Sequence, residues 1–183
     1  MRAIEKKRPP FMTPKRWILL ISASAVTFLV WFGLYLHDIQ SPLWGLERSM
    51  RQAALQTGEL SEVDKLHKHV WEASSWIAEG RDGAGAVRYV YLTGEGEPLY
   101  TIDADDVLSE EELLAQFREA NRSAAGLEVV RVQPGLFRDS PAWEVYYSSQ
   151  DGDRRRYYYQ FYTFDREGDL IESFTLPTGT GPQ

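Results

Sequence analysis

The 183 residues, 43% of them hydrophobic, suffice for one medium domain or two small ones, and the formal charge of −7 is unevenly spread along them. Six bases and one acid lie in the first sixteen residues, whereas 26 acids against 14 bases follow Leu36; that acidity, which solubility alone explains, argues against nucleic acid and against adhesion to anionic lipid or wall polymers. Cysteine is absent, which excludes a disulfide framework, a thiolate metal site and a cysteine nucleophile, and is compatible with a Gram-positive surface.

Residues 1–16, with Arg2, Lys6, Lys7, Arg8, Lys15 and Arg16, read as a basic cytoplasmic tail. From Trp17 to Leu36 no charged residue occurs. At about 1.5 Å of rise per residue this stretch matches the roughly 30 Å hydrocarbon core of a bilayer, where a helix satisfies its own backbone amides. The pattern predicts a single membrane span over 17–36, oriented by its basic flank with the N-terminus cytoplasmic and everything after it extracytoplasmic. Trp17, Trp31 and Tyr35 would sit near the headgroups. Two other readings stand beside it. A buried core helix usually keeps a polar face. A cleaved signal peptide has a shorter apolar stretch and small residues at its exit, whereas here Ser22, Ala23, Ser24 and Ala25 lie in mid-run. Anchor or signal, the rest of the chain is sent outside.

Ser41 followed by Pro42 predicts a fresh helix start, and Gly58 its stop, with Leu43, Leu46, Met50 and Ala53 or Ala54 on one face. Residues 63–71 are ambiguous: Val63, Leu66 and Val70 fit a helix, while His67, His69 and Trp71 alternate as in a strand. SSWIAEG, AVRYVYL and EPLYTID then read as strands broken at Asp82-Gly83 and Glu95-Gly96. Val87, Tyr89 and Tyr91 would share one face.

Ser109 with Glu112 forms a capping box ahead of a helix that turns Leu113, Leu114, Phe117 and Ala120 inward and stops near Gly126. LEVVRVQ, PAWEVYY, RRYYYQFYTF and LIESFTL read as four more strands with turns at Asp151-Gly152 and Glu167-Gly168, and 177–183 as a disordered tail. The order of elements repeats. The predicted class is therefore α+β, with one unit over 41–104 and a second over 109–176, each a helix laid on a small antiparallel sheet.

The residues LEVVRVQPGLF, AWEVYYSSQDG and YYYQFYTFDREGDLI resemble the C-terminal unit of the TseB-like (YpmB-like) cell-wall elongation regulators, a PepSY-related family. Trp143, Glu144 and Val145 fit its aromatic-acid strand opening; Tyr159, Phe164, Asp165 and Gly168 fit its tyrosine-rich strand and turn. WIAEG, the Asp82-Gly83 turn and RYVYL are similar to its N-terminal unit, which tips 63–71 towards strand. The longer, proline-containing tail and the preference for arginine over lysine depart from the family's usual make-up. The resemblance implies a bitopic protein with tandem cystatin-like or PepSY-like units and no catalytic, cofactor or metal site. It further implies a role in wall elongation through penicillin-binding proteins.

His67 and His69 share one strand face and could take a metal, but without a third ligand a solvated strand is favoured. Asp103, Asp105, Asp106 and Glu110 to Glu112 lack the glycine and spacing of a calcium loop. Glu144 beside Asp139 or Asp165 is the one carboxylate set that tempts a wall-hydrolase reading. The rings from Tyr146 to Phe164 are dense on both strand faces. They read equally as packing between the units or as a partner surface, with Trp143, Tyr146, Tyr158 and Tyr162 as candidate contacts. The leading expectation is a non-enzymatic, membrane-anchored regulator that binds a wall-synthesis protein. A PepSY-type inhibitor of a surface peptidase and an acid-dependent hydrolase are the alternatives, and the sequence does not specify an oligomeric state.

Overall fold

The computed structural model describes residues 14–152 and 154–177, with side chains described at all of these except 14–16, 33 and 36–44. The expected cytoplasmic and C-terminal tails lie outside the described residues but for 14–16 and Pro177. The chain divides into two units, Met1–Leu46 and Glu47–Gln183.

The helix α1 (Pro14–Gln56) runs through the end of the first unit, where it carries exposed apolar residues from Trp17 onward. Phe28 stacks on Phe32 at 6.0 Å and Trp31 on Tyr35 at 5.6 Å, the neighbours that a spacing of four brings together. Among the described residues no helix is long and apolar enough to cross a membrane. Within the expected span 17–36, positions 33 and 36 are described by their backbone alone. The fresh helix start at Ser41 and Pro42 does not occur, because the backbone is already helical from Pro14 onward. A Ser-Pro pair caps a helix only where the chain upstream is not helical.

In the second unit the stop is as predicted, with Gly58 at φ 78° and its N–H bonded to Leu55 O. Eight strands follow in two sheets. β1 (Glu62–Val70), β2 (Ser74–Arg81), β3 (Val87–Thr93) and β4 (Pro98–Asp103) form one antiparallel meander in chain order. Residues 63–71 thus resolve as strand up to Val70. After α2 (Glu110–Ala120), β5 (Glu128–Phe137), β6 (Ser140–Asp151), β7 (Arg154–Thr163) and β8 (Leu170–Thr175) form the second. The α+β class and the two four-stranded sheets agree with the sequence reading.

The capping box is present in full: Ser109 Oγ accepts from Glu112 N–H at 3.3 Å and the Glu112 carboxylate accepts from Ser109 N–H at 3.0 Å. Of the residues expected to face inward from α2, Leu113 and Phe117 are buried, Leu114 is half-buried, and Ala120 is exposed in the last turn, before the helix ends at Asn121.

The sheet registers decide what meets what. In the first sheet Trp76, Ala78, Val90 and Leu92 line one face, and in the same unit Met50 and Ala54 of α1 are buried. The opposite face carries Ile77, Tyr89 and Tyr91, which join one apolar core with Leu113 and Phe117 of α2 and with Trp143, Val145, Tyr147, Tyr162 and Phe164 of the second sheet. The sheets therefore share a core. Phe164 closes it from the end of β7, with its ring edge-on to Tyr89 at 5.1 Å and to Tyr91 at 5.7 Å.

Candidate functional site

Alternation along β6 sends Trp143 and Glu144 to opposite faces of the second sheet, and the first sheet reaches both. Tyr89 meets Trp143 edge-on at 6.5 Å on one face. On the other, Trp71, just beyond β1, packs its ring against Tyr159, Phe161 and Phe174 at 4.8 to 5.3 Å. The end of β1 thus passes round the β5 edge.

At that crossing His69 is 1% exposed and Glu144 is 1% exposed. His69 Nδ1 accepts from Leu136 N–H at 3.3 Å, which leaves Nε2 to carry the proton given to Glu144 Oε2 at 3.0 Å. The other carboxylate oxygen accepts from Arg131 Nη2 at 2.7 Å, Arg131 Nε at 3.2 Å and Gln133 Nε2 at 3.4 Å. Burial alone would push the Glu144 carboxyl up, but the hydrogen bonds from His69 and Arg131, with the charge of Arg131, more than offset it. The carboxyl therefore ends below its ordinary value and stays ionised. Arg131 reaches in from a half-exposed position and lies 5.8 Å from the Tyr146 ring.

The expectation of solvated histidines fails at His69, which is buried by the crossing of two sheets that a strand pattern does not encode. The sequence did hold one signal, Pro134-Gly135 inside a strand. Glycine there marks a close approach, and a Cβ on Gly135 would stand 2.5 Å from both Cδ2 and Nε2 of His69. Gly135→Ala is expected to drive the imidazole off Glu144 and to lower stability by about 1–3 kcal/mol. The effect should shrink when His69→Ala is combined with it, as a denaturation double-mutant cycle would show.

Two of the three carboxylates that tempted a hydrolase reading, those of Glu144 and Asp165, are hydrogen-bonded within the fold. Both oxygens of Glu144 are hydrogen-bonded as described. Asp139 stands with Arg138 in the left-handed region, at φ 59° and 51°, as the two-residue turn between β5 and β6, and its carbonyl accepts from the Tyr100 hydroxyl at 2.7 Å. Asp165 Oδ1 accepts from Thr163 Oγ1 and from the Glu167 and Gly168 N–H groups at 2.7 to 2.9 Å, pinning the turn after β7.

The candidate contact aromatics are placed mostly inside. Trp143, Tyr146 and Tyr162 are buried, and Tyr158 is half-buried, stacked on Tyr147 at 5.1 Å. The Tyr162 hydroxyl donates to Gln160 Oε1 at 2.6 Å, and Gln160 Nε2 donates to the Tyr147 hydroxyl at 3.1 Å. Trp143 and Tyr162 belong to the core that the two sheets share, and Tyr158 packs against it, whereas Tyr146 stacks on Tyr157 and Tyr159 of its own sheet.

Where the shared core opens, a cavity of about 260 Å³ lies between the sheets and the start of α2. Lys65, His67, Glu79 and Tyr89 border it from the first sheet, Pro134 and Trp143 from the second. Lys65 Nζ donates to both Glu79 oxygens at 3.2 and 3.3 Å.

Among solved structures the fold is similar to the YpmB protein from Bacillus subtilis, at 18% sequence identity and a TM-score of 0.57, over 70% of this chain and 96% of that one. No protein-family model and no curated protein matches the sequence. At that identity the likeness establishes a YpmB-like fold.

Proposed function

We propose that this chain is a membrane-anchored extracytoplasmic regulator of cell-wall elongation, which binds a penicillin-binding protein or another wall-synthesis protein and performs no catalysis. The observation that carries the reading is the agreement between the fold, similar to YpmB over nearly the whole of that chain, and the strand and turn residues by which the sequence resembles the YpmB-like regulators. The uncharged stretch Trp17 to Leu36 supports the anchor. The burial of Glu144, 1% exposed with both oxygens hydrogen-bonded, supports a binding role, since a general acid or base must reach its substrate.

The deciding experiment is co-purification of the full chain from membranes, beside a form lacking Trp17 to Leu36. The expected result is recovery of a penicillin-binding protein with the full chain and less of it with the truncated form, because the anchor raises local concentration. Recovery of a surface peptidase instead would favour the inhibitor reading. Release of muropeptides by the purified chain would overturn the non-catalytic one.

A further inference from the structure

Among the described residues the turns between strands give their left-handed positions to glycine, namely Gly85, Gly96, Gly152 and Gly168, with one exception. Arg138 and Asp139, the two residues of the β5–β6 turn, stand there at φ 51° and 59°. Asn-Gly or Asp-Gly supplies that backbone at least cost, and two larger side chains in succession strain it. Strain that packing does not require points to function. Arg138 has a local reason to be there: its guanidinium lies 4.9 Å from the centre of the Phe137 ring and pairs with Glu172. The exposed carboxylate of Asp139 has no such reason, since no described residue bonds to it or pairs with it. Beside it stands Tyr100 of β4, 41% exposed, with its hydroxyl fixed on the Asp139 carbonyl and its ring edge-on to Tyr91 at 6.3 Å.

We propose that this turn is a contact point for the partner, in which the Asp139 carboxylate takes a lysine or arginine side chain lying along the Tyr100 ring. The inference rests on the partner-binding reading. An unpaired carboxylate selects a cation, and an exposed aromatic ring beside it adds to the attraction. The neighbouring Arg138 has its charge offset by Glu172. Both contact groups are set before binding: the two-residue turn fixes Asp139, and the bond to its carbonyl fixes Tyr100, so little freedom is lost on association. The turn thus gives up stability for recognition, and the two can be separated. Glycine at 139 relieves the backbone and removes the carboxylate, whereas asparagine, which tolerates the left-handed region, removes the charge alone.

The test co-purifies the full, tagged chain from membranes treated with a fluorescent penicillin, so that captured penicillin-binding protein is measured by its label. Capture should fall about fivefold for Asp139→Asn and for Asp139→Gly, and capture by the wild-type chain should fall with added salt. Asp139→Gly should at the same time melt about 2–4 °C above the wild-type chain, which separates lost recognition from lost folding. The proposal is overturned if either variant captures as much labelled protein as the wild-type chain, or if Asp139→Gly does not melt higher. A wild-type chain that captures no labelled protein overturns the partner reading and this contact with it. That result shows in the wild type, whereas failure of the contact alone shows only in the variants, so the two are distinguishable.

Discussion

Glu144→Ala is expected to lower stability by about 3 kcal/mol at neutral pH, measured by denaturant unfolding, because it leaves a buried imidazole donor and one end of a guanidinium without their acceptor. The cost sits at the low end for a buried ion pair, since Arg131 is half-exposed and can turn to water. His69 cannot. Its ring is enclosed by Gly135 and held by the Leu136 N–H, so the unpaired Nε2–H stays inside. The pH dependence follows from the direction of the shift. The Glu144 carboxyl is held below its ordinary value of 4.5 in the folded chain, so its contribution is complete above that pH and is lost as pH falls through the folded value. The gap in stability between the wild-type chain and Glu144→Gln should therefore be widest near neutrality and close in acid below 4.5. A gap that stayed constant with pH would show that the carboxylate charge is not what holds the crossing.

What the sequence disclosed and what it withheld divide along the range of the interactions. The capping box at Ser109 and Glu112, the glycine stop at Gly58 and the alternation of the strands are written within a few residues, and all are in the structure. The β5–β6 turn lacks any glycine and passed unnoticed, because Arg138 and Asp139 adopt a left-handed backbone that the sequence does not advertise. The site was less legible still. His69 and Glu144 lie 75 residues apart and meet only because β1 passes round the β5 edge, so no spacing rule could join them. As chemistry, Glu144 entered the sequence reading only as one acid of a carboxylate set, because the partners that hold it are remote along the chain. The same crossing buries rings on both faces of the second sheet. Trp71 covers Tyr159, Phe161 and Phe174 on one face of the second sheet while Tyr89 and Phe117 meet Trp143 and Tyr147 on the other.

A shared core has an energetic consequence that two independent units would not show. Phe117 of α2 is fully buried and meets the Tyr147 ring edge-on at 4.9 Å, within the same cluster as Ile77 and Tyr91 of the first sheet. Phe117→Ala removes most of a large apolar side chain from a site walled by two sheets and a helix, where little can move in to refill the space. A loss of about 3–5 kcal/mol is expected. The loss should appear in both sheets at once. Exchange of backbone amides in β3, on the first sheet, and in β6, on the second, should accelerate by similar factors, because opening either sheet exposes the cavity-bearing core. Acceleration confined to β6 would mean that the first sheet holds itself together without the second.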